Sequence, residues 1–429
     1  MSGNLVLICA IVMVILMFLK VPVFIAVLAA SGLYFAGNPN VASQIFAQRV
    51  MSGSETLSLL AIPFFVCSGV FMNYSGVTKR IMDFCSVITG KMYGGLAQVN
   101  VLLSTLMGGL SGSNLADAAM EAKMLVPEME KKGFTKSFST VVTAVSAMIT
   151  PLIPPGIAMI IYGTIANVSI GKLFVAGIGP GVLLCAAMMI LVRFMSKKRG
   201  YLPTRTERVP PAQLWAALRK AILPLLLPLV IIGGIRLGIF TPTEAGAVAI
   251  IYALILAVVY RELSVGGFRE AIKETVFTTS SVMVIIAAAS AFSWILTYEK
   301  IPQQFTSYMI SVCDNKYVFL IAVNIFLILV GMFIEGNATM LILVPMLAPV
   351  ANQYGIDPIQ FAMIYIFNSS IGCVTPPLGT LIFVTCGITK CKIRDFISEA
   401  GPFYIMLLIC LLLLTFVPFF STGLVNLIY

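Results

Sequence analysis

The order of breaks in two apolar stretches constrains the fold of this chain more than any other feature. One stretch contains Gly108–Asn114 followed by Thr150–Gly156, and the other contains Gly331–Asn337 followed by Thr375–Gly379. In both, the glycine precedes the asparagine by six residues, and a Thr-Pro pair begins 36 residues after the asparagine in the first copy and 38 in the second. Each copy is a hydrophobic segment interrupted by small polar residues and then by prolines. In a membrane, such interruptions leave backbone groups free to hold an ion.

The composition predicts an integral membrane protein. Hydrophobic residues make up 59% and charged residues 10% of the 429 positions, and the mean hydropathy is +1.03, values far from those of a soluble domain. The first apolar run, Asn4 to Leu19, leads into a second after the single Lys20, so we interpret it as a span rather than a cleaved signal. The nine cysteines are scattered among apolar runs and are interpreted as core residues.

The sequence contains no histidine. This excludes histidine as a general base, histidine-containing zinc sites and histidine ligation of haem. The net charge of +10 is compatible with an anionic partner such as nucleic acid. A bias of basic residues toward cytoplasmic loops explains the charge more simply, so we expect no nucleic acid partner and a multi-pass protein in the lipid bilayer.

Apolar runs long enough to cross about 30 Å of hydrocarbon predict ten full spans. Two more apolar regions, 96–130 and 317–352, are divided by Gly/Ser/Asn tips and are interpreted as re-entrant hairpins that turn back at mid-membrane. The spans 137–168 and 360–388 are broken by the Thr-Pro clusters. The uninterrupted spans are 4–19, 22–37, 57–73, 173–195, 221–238, 244–260, 275–297 and 401–420.

The basic residues support this count. When the chain changes sides at each full span and each hairpin returns to its own side, Lys20 being cytoplasmic, five Lys and Arg lie outside and Lys123 lies in a hairpin arm. The remaining 21 of the 27 lie in the cytoplasm, in agreement with the positive-inside tendency. The outer residues are Arg49, Lys172, Arg236, Lys300 and Lys316.

The same topology gives the two halves opposite orientations, since spans 4–37 start outside and their counterparts 221–260 start inside. We therefore predict an all-α polytopic membrane protein with inverted repeats, two re-entrant hairpins and two broken helices, which is the plan of a secondary transporter. The hydrophilic segment Met195–Lys220 is interpreted as a cytoplasmic linker. The predicted units are a first scaffold at 1–56, a first transport core at 57–200, the linker and second scaffold at 201–298, and a second core at 299–429.

The prolines of the Thr-Pro clusters predict unpaired backbone oxygens, because a proline in a helix leaves the carbonyl four residues earlier without its donor. Such a carbonyl in hydrocarbon costs several kcal/mol unless it binds a cation or accepts a hydrogen bond from water or a side chain. Prolines that merely kink a helix are the alternative. Two clusters at matching positions of an inverted repeat favour two ion sites. The carbonyls freed in this way are those of Ala147, Thr150 and Gly372, and the hairpin tips add oxygens from Ser111, Ser113, Asn114 and Asn337.

Other residues allow competing interpretations. Gly109–Gly112 matches the GxSG pattern of intramembrane serine proteases, but the nearest basic residue, Lys123, lies about 18 Å away along a helix, so an intramembrane hydrolase is the weaker hypothesis. Acidic residues within apolar regions are candidates for function. Asp117 and Glu121 share one helix face, Glu335 lies at the second tip, Glu244 starts a span where it can cap a helix, and Arg49 can meet a carboxylate or reach the interface.

With these motifs, the chain resembles over nearly its whole length the large membrane subunit of tripartite ATP-independent periplasmic (TRAP) transporters. The resemblance implies sodium-coupled import of a small carboxylate by elevator movement, in a bacterial inner membrane. It also implies a separate small four-span membrane subunit and a periplasmic substrate-binding protein. Among family members the chain is most similar to the sialic-acid type, with C4-dicarboxylate left open. The motifs are Leu60–Phe65, Gly108–Asn114, Thr150–Gly156, Phe240–Gly246 and Thr375–Gly379.

The resemblance also implies ligands for two or more sodium ions and no organic cofactor. One site would use Gly108, Ser113, Asn114, Ala147 and Thr150, and the other would use Gly331, Asn337, Gly372, Thr375 and Leu378. We expect the two tips to face each other across the substrate, with half-helix N–H groups binding the anion. The substrate candidates are Ser111, Gly112, Gly156, Gly336, Thr380 and Arg49. A one-component anion symporter with the same plan is the main alternative.

Overall fold

The computed structural model describes residues 2–19, 21–205 and 209–429, with only the backbone described for residues 2–4. Lys20 and Arg208, which the topology prediction places in the cytoplasm, lie outside the described residues. The described part of the chain is helical, with twenty α-helices and two short 3₁₀ helices. In chain order the α-helices are α1 Ser2–Phe18, α2 Val23–Gly37, α3 Gln44–Ser52, α4 Ala61–Tyr74, α5 Val77–Thr89, α6 Gly95–Ser111, α7 Asn114–Lys131, α8 Lys136–Ser146, α9 Ile157–Ala166, α10 Ile170–Lys198, α11 Pro211–Arg236, α12 Pro242–Tyr260, α13 Val265–Tyr298, α14 Ile301–Val312, α15 Lys316–Gly331, α16 Gly336–Gln353, α17 Pro358–Cys373, α18 Thr380–Thr389, α19 Ile393–Phe416 and α20 Phe419–Ile428.

The predicted spans correspond to helices of the structure. Six of them are long and apolar enough to cross a membrane without a break, and the predicted broken span 137–168 is a helix pair bent by 44°. A second bent pair, α14 and α15 at 118°, belongs instead to the second hairpin and the short helix before it. Several boundaries differ from the prediction, among them the start of α11, which lies ten residues before the predicted span at 221. Helix α13 has 34 residues and begins ten residues before the predicted span at 275, and the predicted span 401–420 ends at Phe416, before Pro418. Proline at this position stops the helix because it has no N–H to donate.

Four helices were not predicted as elements, namely α3, α5, α14 and α20. Each has 9 to 13 residues, which is too short to span the bilayer. The charged or polar positions along α5, among them Lys79, Arg80 and Asp83, alternate with buried residues such as Ile81 and Cys85. An amphipathic pattern of this kind suits a helix that lies along the membrane interface. Hydropathy alone therefore missed these elements.

Both re-entrant hairpins are present. In the first, α6 ends at Ser111, Gly112 turns the chain with a φ of +63°, and Ser113 caps α7 by accepting a hydrogen bond from Ala116 N at 3.4 Å. Positive φ at this turn favours glycine. In the second, α15 ends at Gly331 and Glu335 caps α16, accepting from Ala338 N at 3.3 Å. Each tip thus ends one helix and starts another.

The two broken helices are also present, but their freed carbonyls are less exposed than the prolines predicted. After α8 the chain continues as a 3₁₀ helix over Ala147–Leu152, and the Thr150 carbonyl accepts from Ile153 N at 3.3 Å. After α17, the Gly372 carbonyl accepts from Thr375 N at 3.1 Å. The expectation of unpartnered carbonyls is therefore wrong for these two groups, because the break tightens into three-residue turns. Each oxygen keeps a second lone pair.

The start of the segment between the two halves packs against α19 and against the residues that flank the first hairpin. Helix α10 extends to Lys198, and Arg199 forms an ion pair with Glu399 at 2.6 Å. Tyr201 stacks near Phe134, with ring centroids 4.4 Å apart. The backbone N–H of Arg205 donates to the Gly90 carbonyl at 2.9 Å. The predicted linker therefore begins as a segment packed on the protein.

Candidate functional site

A cavity of about 910 Å³ lies between the two hairpin tips, helices α4 and α13, and the start of α2. A volume of this size falls within the range of small-molecule sites. Most of the wall is apolar, and its polar side chains come from six separate regions of the chain. The polar residues in the wall are Asn73, Ser111, Ser113, Asn114, Glu274, Thr278, Ser280, Ser281, Glu335, Asn337, Ser369, Ser370 and Thr380.

The cavity brings together most of the predicted substrate residues. Ser111, Gly112, Gly336 and Thr380 line it, together with three predicted sodium ligands, Ser113, Asn114 and Asn337. The hairpin tips therefore face the same space, as the repeat predicts. The described lining does not include two other candidates, Gly156 and Arg49.

Each of those two has a contact elsewhere that explains its position. A Cβ on Gly156 would lie 2.5 Å from the Pro151 carbonyl oxygen, so this glycine serves close backbone packing. Arg49 lies on the exposed helix α3, and its guanidinium carbon is 5.8 Å from the centre of the Trp294 ring. Such a cation–π contact provides Arg49 with a partner in the protein away from the cavity.

Five helices begin at the cavity wall. Their first residues are Val23 of α2, Asn114 of α7, Ile157 of α9, Gly336 of α16 and Thr380 of α18. Each helix N-terminus carries about half a positive charge and free N–H groups. The hydroxyl of Thr380 is buried and has no hydrogen-bond partner among the described residues. This side of the cavity is therefore suited to an anion, in agreement with the expected use of half-helix N–H groups.

Asp117 is the most unusual charged residue near the cavity. It is fully buried, and one of its carboxylate oxygens accepts hydrogen bonds from Ser111 Oγ at 2.6 Å and from Thr150 Oγ1 at 2.8 Å. The other oxygen, Oδ1, has no partner among the described residues. An ionised carboxylate is costly in such surroundings without a counter-charge. Asp117 therefore links the first hairpin tip to the break at Thr150 and leaves one oxygen available to a cation.

Glu121, one turn further along α7, is buried in the same way. Its Oε2 accepts from Ser104 Oγ at 2.7 Å, and its Oε1 has no partner among the described residues. Asp117 and Glu121 share a helix face, as the spacing predicts. They are the two fully buried carboxylates of the described chain.

The first predicted sodium site is compact in the structure. Gly108 lies so close to Thr150 that a Cβ on the glycine would be 2.9 Å from the threonine Cα. Ala147 lies one 3₁₀ turn before Thr150. Ser113 and Asn114 belong to the turn that follows Ser111 at the end of α6. The five residues therefore belong to one neighbourhood, which also contains Asp117.

The second predicted site has a matching layout. Gly331 contacts Gly372, and Leu378 N donates to the Met332 carbonyl at 3.2 Å, which ties the break to the hairpin. Thr375 Oγ1 donates to the Ile371 carbonyl at 2.6 Å.

The side chain of Asn337 is already engaged, since its Nδ2 donates to Glu335 Oε1 at 2.8 Å. Its amide oxygen stays available as an acceptor.

One part of the cavity wall was not predicted from the sequence. Glu274, Thr278 and Ser281 lie along one face of α13, and Asn73 of α4 also lines the cavity. The three residues of α13 are spaced i, i+4 and i+7, and polar residues at this helical spacing in an otherwise apolar span are the signal that would have found them. The predicted span started at residue 275, so Glu274 was assigned to the preceding loop.

The geometry does not support the hydrolase alternative. Ser111 Oγ donates its proton to Asp117 rather than to a basic nitrogen, and Lys123 is exposed on the same helix as Asp117. A serine nucleophile needs an adjacent base that takes up its proton, and a carboxylate such as Asp117 is a much weaker base than histidine or lysine.

Comparison with known proteins gives one consistent result. Residues 10–420 match the family model described as "Tripartite ATP-independent periplasmic transporter, DctM component". The sialic acid TRAP transporter large permease protein of Vibrio cholerae is 40% identical over 410 residues, covering 91% of this chain and 95% of that protein.

Two further relatives are named for other substrates. The 2,3-diketo-L-gulonate TRAP transporter large permease protein of Escherichia coli is 39% identical over 376 residues, covering 87% of this chain and 88% of its own length. The C4-dicarboxylate TRAP transporter large permease protein of Pseudomonas aeruginosa is 38% identical over 381 residues, covering 89% of each. Among solved structures, the Alcanivorax borkumensis YdaH transporter has a TM-score of 0.60 with 15% identity, covering 89% of both chains. This last similarity concerns the fold alone.

Proposed function

Because this chain belongs to the family of the DctM component of tripartite ATP-independent periplasmic transporters, we propose that it is the sodium-coupled importer of a small carboxylate. It is a large permease subunit and not an enzyme. Relatives are named for sialic acid and for C4-dicarboxylate, and both substrates fall within this proposal.

The observation that carries the proposal is the unpartnered oxygen of buried Asp117 beside Thr150. Oxygen ligands from hydroxyls, carbonyls and a carboxylate suit a hard alkali cation. A sodium ion at this point would neutralise the carboxylate and would bind both the hairpin tip and the 3₁₀ break. The residues that would hold it are Gly108, Ser113, Asn114, Ala147, Thr150 and, in addition to the sequence prediction, Asp117.

A second sodium ion would use the equivalent break in the other half. The ligands would be Gly331, Asn337, Gly372, Thr375 and Leu378, mostly through backbone oxygens. The contact between Gly331 and Gly372 supports this assignment because it brings the hairpin backbone next to the break. With both ions bound, the two tips are ordered, and their N–H groups can then receive the carboxylate.

We further propose that the described conformation is open toward the cytoplasm. Asn73 and Glu274 line the cavity, and they lie within six residues of the predicted cytoplasmic residues Lys79, Arg269 and Lys273 in the sequence. Import would then proceed by elevator movement of the hairpins relative to the scaffold helices α12 and α13. In the cell, a small membrane subunit and a periplasmic binding protein would complete the transporter in the bacterial inner membrane.

Uptake into proteoliposomes tests this function. The purified transporter, supplied with its binding protein, should accumulate sialic acid or a dicarboxylate only under an inward sodium gradient. Uptake that continues when choline replaces sodium would refute the coupling, as would wild-type sodium dependence in both Asn114→Ala and Asn337→Ala. Uptake that needs no binding protein would favour the one-component symporter instead.

A further inference from the structure

We infer that the transported acid carries a single carboxylate and a hydroxyl-bearing, uncharged body, and that Glu274 excludes a second negative charge. This inference rests on the proposed transport function and narrows its substrate class. It follows from which charges line the cavity and where they lie.

The described cavity wall contains no lysine or arginine side chain, but it contains the carboxylates of Glu274 and Glu335. The negative charge of Glu335 is stabilised by the N-terminus of α16, which Glu335 caps, and by hydrogen bonds from Ala338 N and Asn337 Nδ2. Glu274 has no such helix end beside it. The positive potential of the cavity therefore comes from the helix N-termini at the hairpin tips and at the start of α2. Glu274 lies further along the wall, because its partner Tyr74 is five residues past Gly69 on α4, and Gly69 contacts Ser111 of the first tip.

The α13 wall offers mainly hydrogen-bond acceptors. Glu274 Oε2 accepts one hydrogen bond, from Tyr74 Oη at 3.1 Å, and is half-buried. Ser281 donates its own proton to the Phe277 carbonyl at 2.8 Å, so its oxygen faces the cavity as an acceptor. Acceptors of this kind are satisfied by the hydroxyl or amide N–H groups of a substrate. A carboxylate in the same place would meet another carboxylate without a cation, which is unfavourable.

The cavity is therefore polarised. An acid with one carboxylate can place it against the helix N-termini of the tips and direct its hydroxyl groups toward Glu274. A dicarboxylate of similar length has to place its second charge against α13. A difference of about tenfold or more in affinity is expected from a like-charge contact of this type.

Gluconate and glucarate provide a direct test, because they differ only in the second carboxylate. The large subunit is purified with its small membrane subunit and without the binding protein, so that delivery does not affect selectivity. Its midpoint of thermal unfolding is measured in sodium chloride and in choline chloride with gluconate, glucarate, N-acetylneuraminate and succinate, because a ligand that binds the folded state raises this midpoint. We expect stabilisation by the acids with one carboxylate, in sodium only, with apparent affinities about tenfold or more above those of the two dianions.

The variant Glu274→Gln keeps the size of the side chain and its ability to accept from Tyr74. In this variant the ratio of glucarate to gluconate affinity should rise about tenfold. Glu270→Gln on the same helix is the matched control, because Glu270 is exposed, lies 4.0 Å from Lys273 and does not line the cavity. This control should leave the ratio unchanged.

The outcomes separate this inference from the function it depends on. Equal or stronger stabilisation by glucarate or succinate would overturn the inference while leaving sodium-coupled transport intact. An unchanged ratio in Glu274→Gln would do the same. Stabilisation by no acid in sodium, or by acids equally well in choline, would overturn the proposed function and this inference together.

Discussion

Gly331 and Gly372 meet backbone to backbone, although 41 positions of sequence separate them. A Cβ added to Gly372 would lie 2.6 Å from Gly331 Cα and 2.8 Å from the Gly331 carbonyl oxygen. The same relationship joins Gly108 to Thr150 in the other half, at 2.9 Å. In both repeats, therefore, the end of the first hairpin arm is pressed against the break of the following helix. Small residues at such contacts let helix backbones approach closely within a membrane.

Gly372→Ala should lower both stability and transport. The added methyl group meets backbone atoms, which cannot rotate away, so we expect a loss of about 1–3 kcal/mol of unfolding free energy. Sodium affinity should fall as well, because the break would move away from Gly331. Thermal unfolding and sodium-dependent uptake measure the two effects. Gly387→Ala in α18, where a Cβ meets nothing within 4 Å, is the control. Wild-type sodium affinity in Gly372→Ala would argue against a second site at this contact.

Asp117→Asn should remove the response to sodium while the protein stays folded. The substitution keeps the acceptor for Ser111 and Thr150 but removes the buried charge. Without sodium the variant should be at least as stable as the wild type, since an uncompensated buried charge is costly. Sodium should then no longer raise the midpoint of unfolding, and uptake should fall about tenfold or more. Asp83→Asn, on the exposed face of α5, should behave as wild type. An Asp117→Asn protein with unchanged sodium stabilisation would remove Asp117 from the site.

Thr241→Ala should affect stability without affecting the site. Thr241 and Glu244 form a capping box at the start of α12, with Glu244 N donating to Thr241 Oγ1 at 3.2 Å and Thr241 N donating to Glu244 Oε2 at 2.7 Å. Loss of the cap should cost about 1 kcal/mol of unfolding free energy. Thr241→Ser keeps the hydroxyl and should retain most of the stability. Sodium dependence should be unchanged in both variants, and a changed one would mean that α12 contributes to the ion sites.

A buried amide network should be sensitive to Asn368→Ala. Asn368 Nδ2 donates to the Asn324 carbonyl at 3.0 Å and to its Oδ1 at 2.9 Å, and Asn324 Nδ2 donates to Thr415 Oγ1 at 2.9 Å. Truncation leaves buried acceptors unmet, at a cost of about 1–3 kcal/mol. A double-mutant cycle with Asn324→Ala should give a measurable coupling energy between positions 324 and 368, because both substitutions break the same hydrogen bond. Asn352→Ala, on the exposed face of α16, should show no coupling with Asn368→Ala. Additive losses at positions 324 and 368 would contradict the network.

The membrane plan of this protein was predictable because its signals are local. The span lengths follow from runs of apolar residues, the first hairpin turn from Gly112, and the helix breaks from Thr150–Gly156 and Thr375–Gly379. A glycine or a proline changes the backbone at its own position, so its effect is visible in the sequence. The same holds for the capping role of Glu244, which the structure confirms. The short interfacial helices were missed because their apolar residues are too few to form a run.

Long-range contacts decided the rest. The sequence marks Asp117 as an acidic residue in an apolar arm, but only the fold brings Thr150, 33 positions away, to its carboxylate. Only the fold directs Arg49 to Trp294 rather than to the cavity, and only the fold brings Glu274 into the same cavity wall as the hairpin tips. The prolines predicted free carbonyls, yet the Thr150 and Gly372 carbonyls accept hydrogen bonds within tight turns. The oxygen without a partner is instead Oδ1 of Asp117. Which oxygen remains without a partner depends on packing between distant segments, and a sequence pattern read along one segment contains no information about its neighbours in space.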